Sequence, residues 1–170
     1  MPEKPQIAKL ALAHDATAFD CGNEALNRFI KMYALQGQRA GISQTYVAVT
    51  GEAIIGYHTL VVGNVVHDEA PERLKKGIPQ HPVPVIILAR LAVDTQWHGR
   101  GLGAALIVDA MRRILQAADI AGVRAMLVHA KDEAARNFYR HLGFEPFGAS
   151  SLTLYRLLKD IRAMANRKPG

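Results

Sequence analysis

His98-Gly99-Arg100-Gly101-Leu102-Gly103-Ala104 follows the apolar run Val83 to Val93 and opens a long amphipathic segment. The order is strand, glycine-rich turn, helix N-terminus. The first N–H groups of a helix lack intrahelical partners, and the helix dipole puts partial positive charge at that end. Glycines at 99, 101 and 103 let an anionic group approach the backbone without meeting a Cβ. A Gly-x-Gly-x-Gly cluster alone also suits a flexible surface turn. Its place between a buried strand and a long helix favours a pyrophosphate cradle.

The same reading extends in both directions. Val85 to Val93 is almost uninterrupted apolar sequence, as expected of a central strand covered on both faces. Leu102, Leu106, Ala110 and Ile114 form the apolar stripe of a helix running to about Ile120. Ala125 to Ala130 reads as a further strand. Asp132 is placed to cap a short helix that Gly143 ends at C′. Short strands near Phe144–Phe147 and Ser151–Tyr155 precede a basic C-terminal helix.

Upstream, Ile7 to Leu12 reads as a first strand. Asn23 caps a helix to about Gln36, with Leu26, Phe29, Ile30 and Tyr33 on its apolar face and Asn27, Arg28 and Lys31 turned elsewhere. Gln44 to Thr50 and Ala53 to Val62 make an antiparallel hairpin through Gly51-Glu52. A polar, proline-bearing loop, Gly63 to Pro82, joins the two halves, and loops of that length often cover a site. With no repeat and no linker, residues 1–170 read as one α/β (α+β) domain.

Composition narrows the class. A 49% hydrophobic and 21% charged chain of 170 residues suits one soluble domain. The N-terminus lacks the apolar core of a signal peptide, and no run is long enough to span a bilayer, so no membrane partner is expected. The single cysteine, Cys21, excludes an intrachain disulfide framework, fits a reducing cytoplasm and reads as a buried small hydrophobe. Seven histidines include no His-Glu-x-x-His pattern, and no metal is expected. The net charge of +6 favours a polyanionic partner, either nucleic acid or a phosphorylated cofactor.

Val85 to Phe147 closely resembles the core of the GNAT acetyltransferases. The residues concerned are Leu91-Ala92-Val93, the His98 to Gly103 loop and Phe138-Tyr139-Arg140-His141-Leu142-Gly143-Phe144. His98 stands where the family usually carries Gln or Arg, and Asp132 where many members carry Asn. Phe19 to Phe29, Thr45 to Val49, Ala89 to Asp94 and Val128 to Asp132 further resemble the GNAT toxins of bacterial toxin–antitoxin pairs. The resemblance implies a mixed, mostly antiparallel central sheet with helices on both faces. It implies acetyl-CoA as co-substrate and acetylation of the α-amino group of aminoacyl-tRNA, which blocks translation. It also implies a ribbon–helix–helix antitoxin, through which any operator DNA would be bound. A homodimer is compatible with the chain. A GNAT enzyme acting on a small amine or a protein N-terminus is the alternative.

Under that resemblance, Leu91, Ala92 and Val93 hold the pantetheine arm by backbone pairing, and an N–H near Leu91 polarises the thioester carbonyl. His98, Gly99, Arg100, Gly101, Leu102, Gly103 and Ala104 form the pyrophosphate cradle. Phe138 shares a helical face with Ala134, Ala135 and Leu142 and is expected in the core, with Tyr139 at the edge of that face. On its own, Tyr139 reads as a boundary tyrosine; the motif makes it the general acid for the departing thiolate. Arg90 suits either an ion pair at the sheet end or contact with tRNA phosphates. Arg73, Lys75 and Lys76 suit either a solvated loop face or the same contact.

Overall fold

The computed structural model describes residues 4–167, so Lys168 of the basic C-terminal cluster lies outside the described residues. Its strands are β1 (Gln6–Lys9), β2 (Gln44–Thr50), β3 (Ala53–Val65), β4 (Val83–Val93), β5 (Ala125–His129), β6 (Glu145–Pro146) and β7 (Thr153–Leu157). They form one sheet in the order β1-β2-β3-β4-β5-β7-β6. The helices are α1 (Glu24–Arg28), α2 (Ala34–Arg39), α3 (Glu72–Lys75), α4 (Leu102–Ala118), α5 (Glu133–His141) and α6 (Leu158–Ala165). The chain gathers into two compact units, one running up to Val61 and including Ala89–Ala110, the other Val62–Leu88 with Met111 onward.

In the first unit, β1 and β2 pair antiparallel, as do β2 and β3, with an irregularity between Ala48 and Val49. Side chains alternate between two clusters because the strand period is two. Val47, Val49 and Tyr57 join Phe19, Ile30 and Ala34 in one cluster, while Ala48 and Ile55 meet Leu102 and Leu106 of α4 in the other. Gly56 leaves room for α4 to pack closely on the sheet. A Cβ there would lie 3.1 Å from Leu106 and 3.2 Å from the Ala92 carbonyl.

The expected helix from Asn23 is interrupted. Asn23 does cap α1, accepting from the Leu26 N–H at 3.2 Å. Phe29–Tyr33 then form a π-helical turn in which the Ala34 N–H donates to the Phe29 carbonyl, five residues back. The wider turn breaks the 3.6-residue period. Ile30 and Ala34 stay buried, whereas Tyr33, expected in the core, is 49% exposed. Asn27, expected outside, is buried because its amide closes the Phe19–Gly22 bend. Its Oδ1 accepts from the Cys21 N–H at 2.9 Å and its Nδ2 donates to Asp20 Oδ1 at 3.0 Å. Cys21 is half-buried, packed against the same core.

In the second unit, β4 and β5 are parallel from Val85↔Ala125 to Leu88↔Val128, and β7 pairs antiparallel with both β5 and β6. β4 continues from Ala89 to Val93 beyond the last of its pairs with β5. Ala89 is exposed and Arg90 and Leu91 half-buried, so this part of the strand is not the fully covered one that its apolar run suggested. The long loop is partly ordered by α3, whose last carbonyls find a donor from elsewhere in the chain. The Arg124 guanidinium donates to Leu74 at 2.9 Å and to Lys76 at 3.3 Å, satisfying groups that a helix end leaves orphaned.

Candidate active site

The glycine loop takes the conformation its sequence demands. Gly99 and Gly101 have φ of 75° and 81°, and a Cβ on either would meet nothing within 4 Å. The backbone there faces open space at the start of the 17-residue α4. Asp94 caps the 3-10 turn Thr95–Trp97 by accepting from Gln96 N–H at 2.9 Å, and its second oxygen accepts from Asp20 N–H at 3.1 Å. His98 Nε2 sits 2.7 Å from the Val93 carbonyl oxygen. Arg100 lies over the Trp97 ring at 4.7 Å. The approach to the loop is thus braced by Asp94, Asp20 and Asn27, none of which the sequence reading singled out for that work.

These features fit a pyrophosphate. Open left-handed glycines, exposed backbone and a helix N-terminus are what such a group needs, and Arg100 adds a positive charge at the rim. Leu91 and Val93 pack on the cluster beneath α4 and Ala92 on the opposite one, which fixes the orientation of this strand backbone.

Among the described residues, Arg90 has no ion-pair partner at the sheet end. Its guanidinium carbon lies 3.8 Å from the Phe29 ring centroid, a tight cation–π stack. A cavity of about 500 Å³ opens beside it, lined by Phe29, Tyr33 and Arg90 among others.

Arg73, Lys75, Lys76 and Tyr139 belong to the second unit. Arg73 pairs with Glu145 and, at 2.9 Å, with Asp160. Lys75 lies 3.7 Å from Glu72. Lys76 is exposed. Two of the three basic residues therefore already face carboxylates.

Tyr139 and Phe138 exchange their expected places. Tyr139 is buried and Phe138 half-buried, because Arg136, which the pattern counts as polar, lies on the buried face one turn earlier. Its guanidinium donates to the Ala149 carbonyl at 2.7 Å, the Ser151 carbonyl at 3.0 Å and Glu133 at 3.0 Å. A cation so satisfied can sit inside. Phe138 and Phe144 meet the Tyr139 ring edge-on at 5.5 and 5.6 Å. Burial pushes the Tyr139 hydroxyl up to about 12, so it holds its proton throughout the neutral range. Asp132 caps α5 through the Ala135 N–H at 2.8 Å. His129, at the end of β5, is a hydrogen-bonded strand histidine, its Nδ1 3.0 Å from the Thr153 hydroxyl.

Among the described residues, no group of three His, Cys, Asp or Glu side chains is placed to hold a metal ion, and no helix is long and apolar enough to cross a membrane.

Residues 41–146 match the acetyltransferase (GNAT) domain family, and the chain belongs to it. It is 42% identical over 156 residues to a tRNA-acetylating toxin of Mycobacterium tuberculosis, covering 92% of this chain and 93% of that one. It is similar to the structure of AtaT complexed with acetyl-methionyl-tRNAfMet, at a TM-score of 0.88 and 30% identity, over 96% of this chain and all of that one. It is also similar to a Tyr-to-Phe variant of the AtaT toxin bound to the C-terminus of the antitoxin AtaR and acetyl-CoA. There the TM-score is 0.82 and identity 28%, over 97% of this chain and 100% of that one.

Proposed function

We propose that this GNAT domain, residues 1–170, is a toxin that acetylates the α-amino group of aminoacyl-tRNA from acetyl-CoA and so blocks translation in the cytoplasm. The observation that carries this reading is the extent of the likeness. The family-wide match stops at residues 41–146, whereas the tRNA-acetylating toxin is matched over 92% of this chain. A ribbon–helix–helix antitoxin would silence it and carry any contact with operator DNA.

Bound acetyl-CoA supplies an activated acyl group as a thioester. The residues from His98 to Ala104 hold its pyrophosphate through backbone N–H groups. Leu91, Ala92 and Val93 pair with its amides as a neighbouring strand would, and the Leu91 N–H polarises the thioester carbonyl. An α-amino group titrates near pH 8, roughly 7.7–8.0, and an ester withdraws electrons from it, so a useful fraction is neutral and can attack without a strong protein base. The N–C bond forms, the C–S bond breaks, and Tyr139 donates its proton to the thiolate. The proton shed by the attacking nitrogen passes to water, and water returns one to the Tyr139 phenolate before the next turnover. Lys76, with Arg90 and the partly neutralised Arg73 and Lys75, meets the polyanion.

Expression in cells tests this reading. Wild-type chain should arrest growth and leave N-acetylated amino acids on isolated tRNA, while Tyr139→Phe should do neither. Growth arrest with unmodified aminoacyl-tRNA would refute it.

A further inference from the structure

We infer that the cavity between the π-turn and Arg90 is a stacking subsite for the terminal nucleobase of the acceptor tRNA, an inference that rests on the aminoacyl-tRNA reading. Three observations meet there. The π-turn takes Tyr33 out of the core period, leaving it 49% exposed at the cavity, while Ile30 and Ala34 stay buried. Phe29 lines the cavity from its place against that core, stacked on Tyr57. The Arg90 guanidinium carbon lies over the Phe29 ring, 3.8 Å from its centroid. Stacking occupies its π-face and not its N–H donors, so its edge can still meet a phosphate. Gln36 and Ser43 add polar groups to the lining. Gly37 keeps α2 tight against that wall, since a Cβ there would come within 2.7 Å of Ser43 Oγ.

Flat aromatic and guanidinium walls with polar groups at the edge suit a planar heteroaromatic ring attached to an anion. A nucleotide is both. The cavity's position agrees. Arg90 directly precedes Leu91, a step of about 3.3 Å along a strand, and the proposed mechanism sets the thioester carbonyl at the Leu91 N–H. The terminal adenosine of a tRNA carries the amino acid on its own ribose, so its base lies one sugar and one ester away from the attacking amine. An amino-acid side chain would find the same walls regardless of its own shape, and that is the competing occupant.

The test compares two acceptors bearing the same amino acid, its adenosine ester and its methyl ester, in wild type, Tyr33→Ala and Arg90→Lys. Wild type should prefer the adenosine ester in kcat/KM. Both variants should shrink that preference by roughly tenfold to a hundredfold, the usual effect of losing one base-stacking partner. Arg90→Lys keeps the charge and loses only the planar stack. Adenosine 5′-monophosphate should broaden NMR signals around the cavity in wild type and not in Tyr33→Ala. Folding of both variants is checked by their melting curves. If charged tRNA is acetylated but wild type treats the two esters alike, the subsite is wrong and the tRNA reading stands. If Tyr33→Ala reorders preference among amino acids while the ester preference persists, the cavity holds the side chain and the inference is overturned. If neither ester nor charged tRNA is acetylated, both readings fall.

Discussion

His98 Nε2 lies 2.7 Å from the carbonyl oxygen of Val93, tying the residue that opens the glycine loop to the end of the strand before it. A carbonyl only accepts, so Nε2 carries the proton. The side chain that stands at the family's Gln or Arg position thus shapes the loop from within. His98→Ala should weaken acetyl-CoA binding several-fold with little change in melting temperature, since the residue is exposed. His98→Gln, which can still donate, should recover most of the affinity. Calorimetry on both variants checks this; equal affinity for wild type and the alanine variant would make the bond idle.

Tyr139→Phe keeps the packing against Phe138 and Phe144 and removes the proton donor. Acetyl-CoA affinity should hold while turnover falls by roughly 10²–10⁴-fold. Stability supplies a second readout. Burial raises the Tyr139 hydroxyl from its ordinary 10 to about 12 in the folded chain, so the folded state binds that proton more tightly than the unfolded one. The associated stability is fully present below pH 10 and is lost as pH rises through 12. Melting temperature should therefore fall less steeply between pH 10 and 12 in Tyr139→Phe than in wild type. Parallel alkaline melting curves would show the hydroxyl to be exposed.

Local signals were legible in the sequence and long-range ones were not. The strand–glycine–helix order, the Gly51 turn, the Asn23 and Asp132 caps and the Gly143 stop all depend on a few neighbouring residues. The helix from Asn23 was misread because one π-turn shifts its period after Arg28, which exposes Tyr33. Asn27 and Arg136 look like surface residues in a polar–apolar pattern. They are buried because groups outside their helices satisfy them, the Cys21 N–H and Asp20 carboxylate for Asn27 and the Ala149 and Ser151 carbonyls for Arg136. Arg136 shares the buried face of α5 with Tyr139 rather than Phe138. Nothing local in the sequence announces that Arg124 caps α3 or that Asp94 holds Asp20.

Gly143 should be intolerant of a side chain for two independent reasons. Its φ is 93°, and a Cβ would come within 2.7 Å of the Arg156 guanidinium, which donates to the Leu142 carbonyl at 3.0 Å. The Phe144 N–H returns to the Tyr139 carbonyl at 3.1 Å, so the same turn anchors the proposed acid. Gly143→Ala should lower unfolding free energy by at least about 1 kcal/mol in denaturant titration. A neutral result would mean that the turn and Arg156 adjust without strain.

The basic residues of the α3 region should separate by role. Arg73→Ala breaks the contacts with Glu145 and Asp160 and should lower the melting temperature by roughly 1–4 °C, a small change because the pair is partly exposed. Lys76→Glu should leave melting unaltered and raise the KM for charged tRNA, more so at low salt because phosphate contacts release counterions. A KM for charged tRNA that Lys76→Glu leaves at the wild-type value, with the wild-type salt dependence, would remove this region from the acceptor surface.

Incubating the chain with labelled acetyl-CoA and a mixture of charged and uncharged tRNAs tests the central claim most directly. Label should appear only on charged tRNA, on the amino acid, and leave the tRNA when mild alkali cleaves the ester. Label confined to protein N-termini or small amines would leave the GNAT fold standing and contradict the tRNA-directed function.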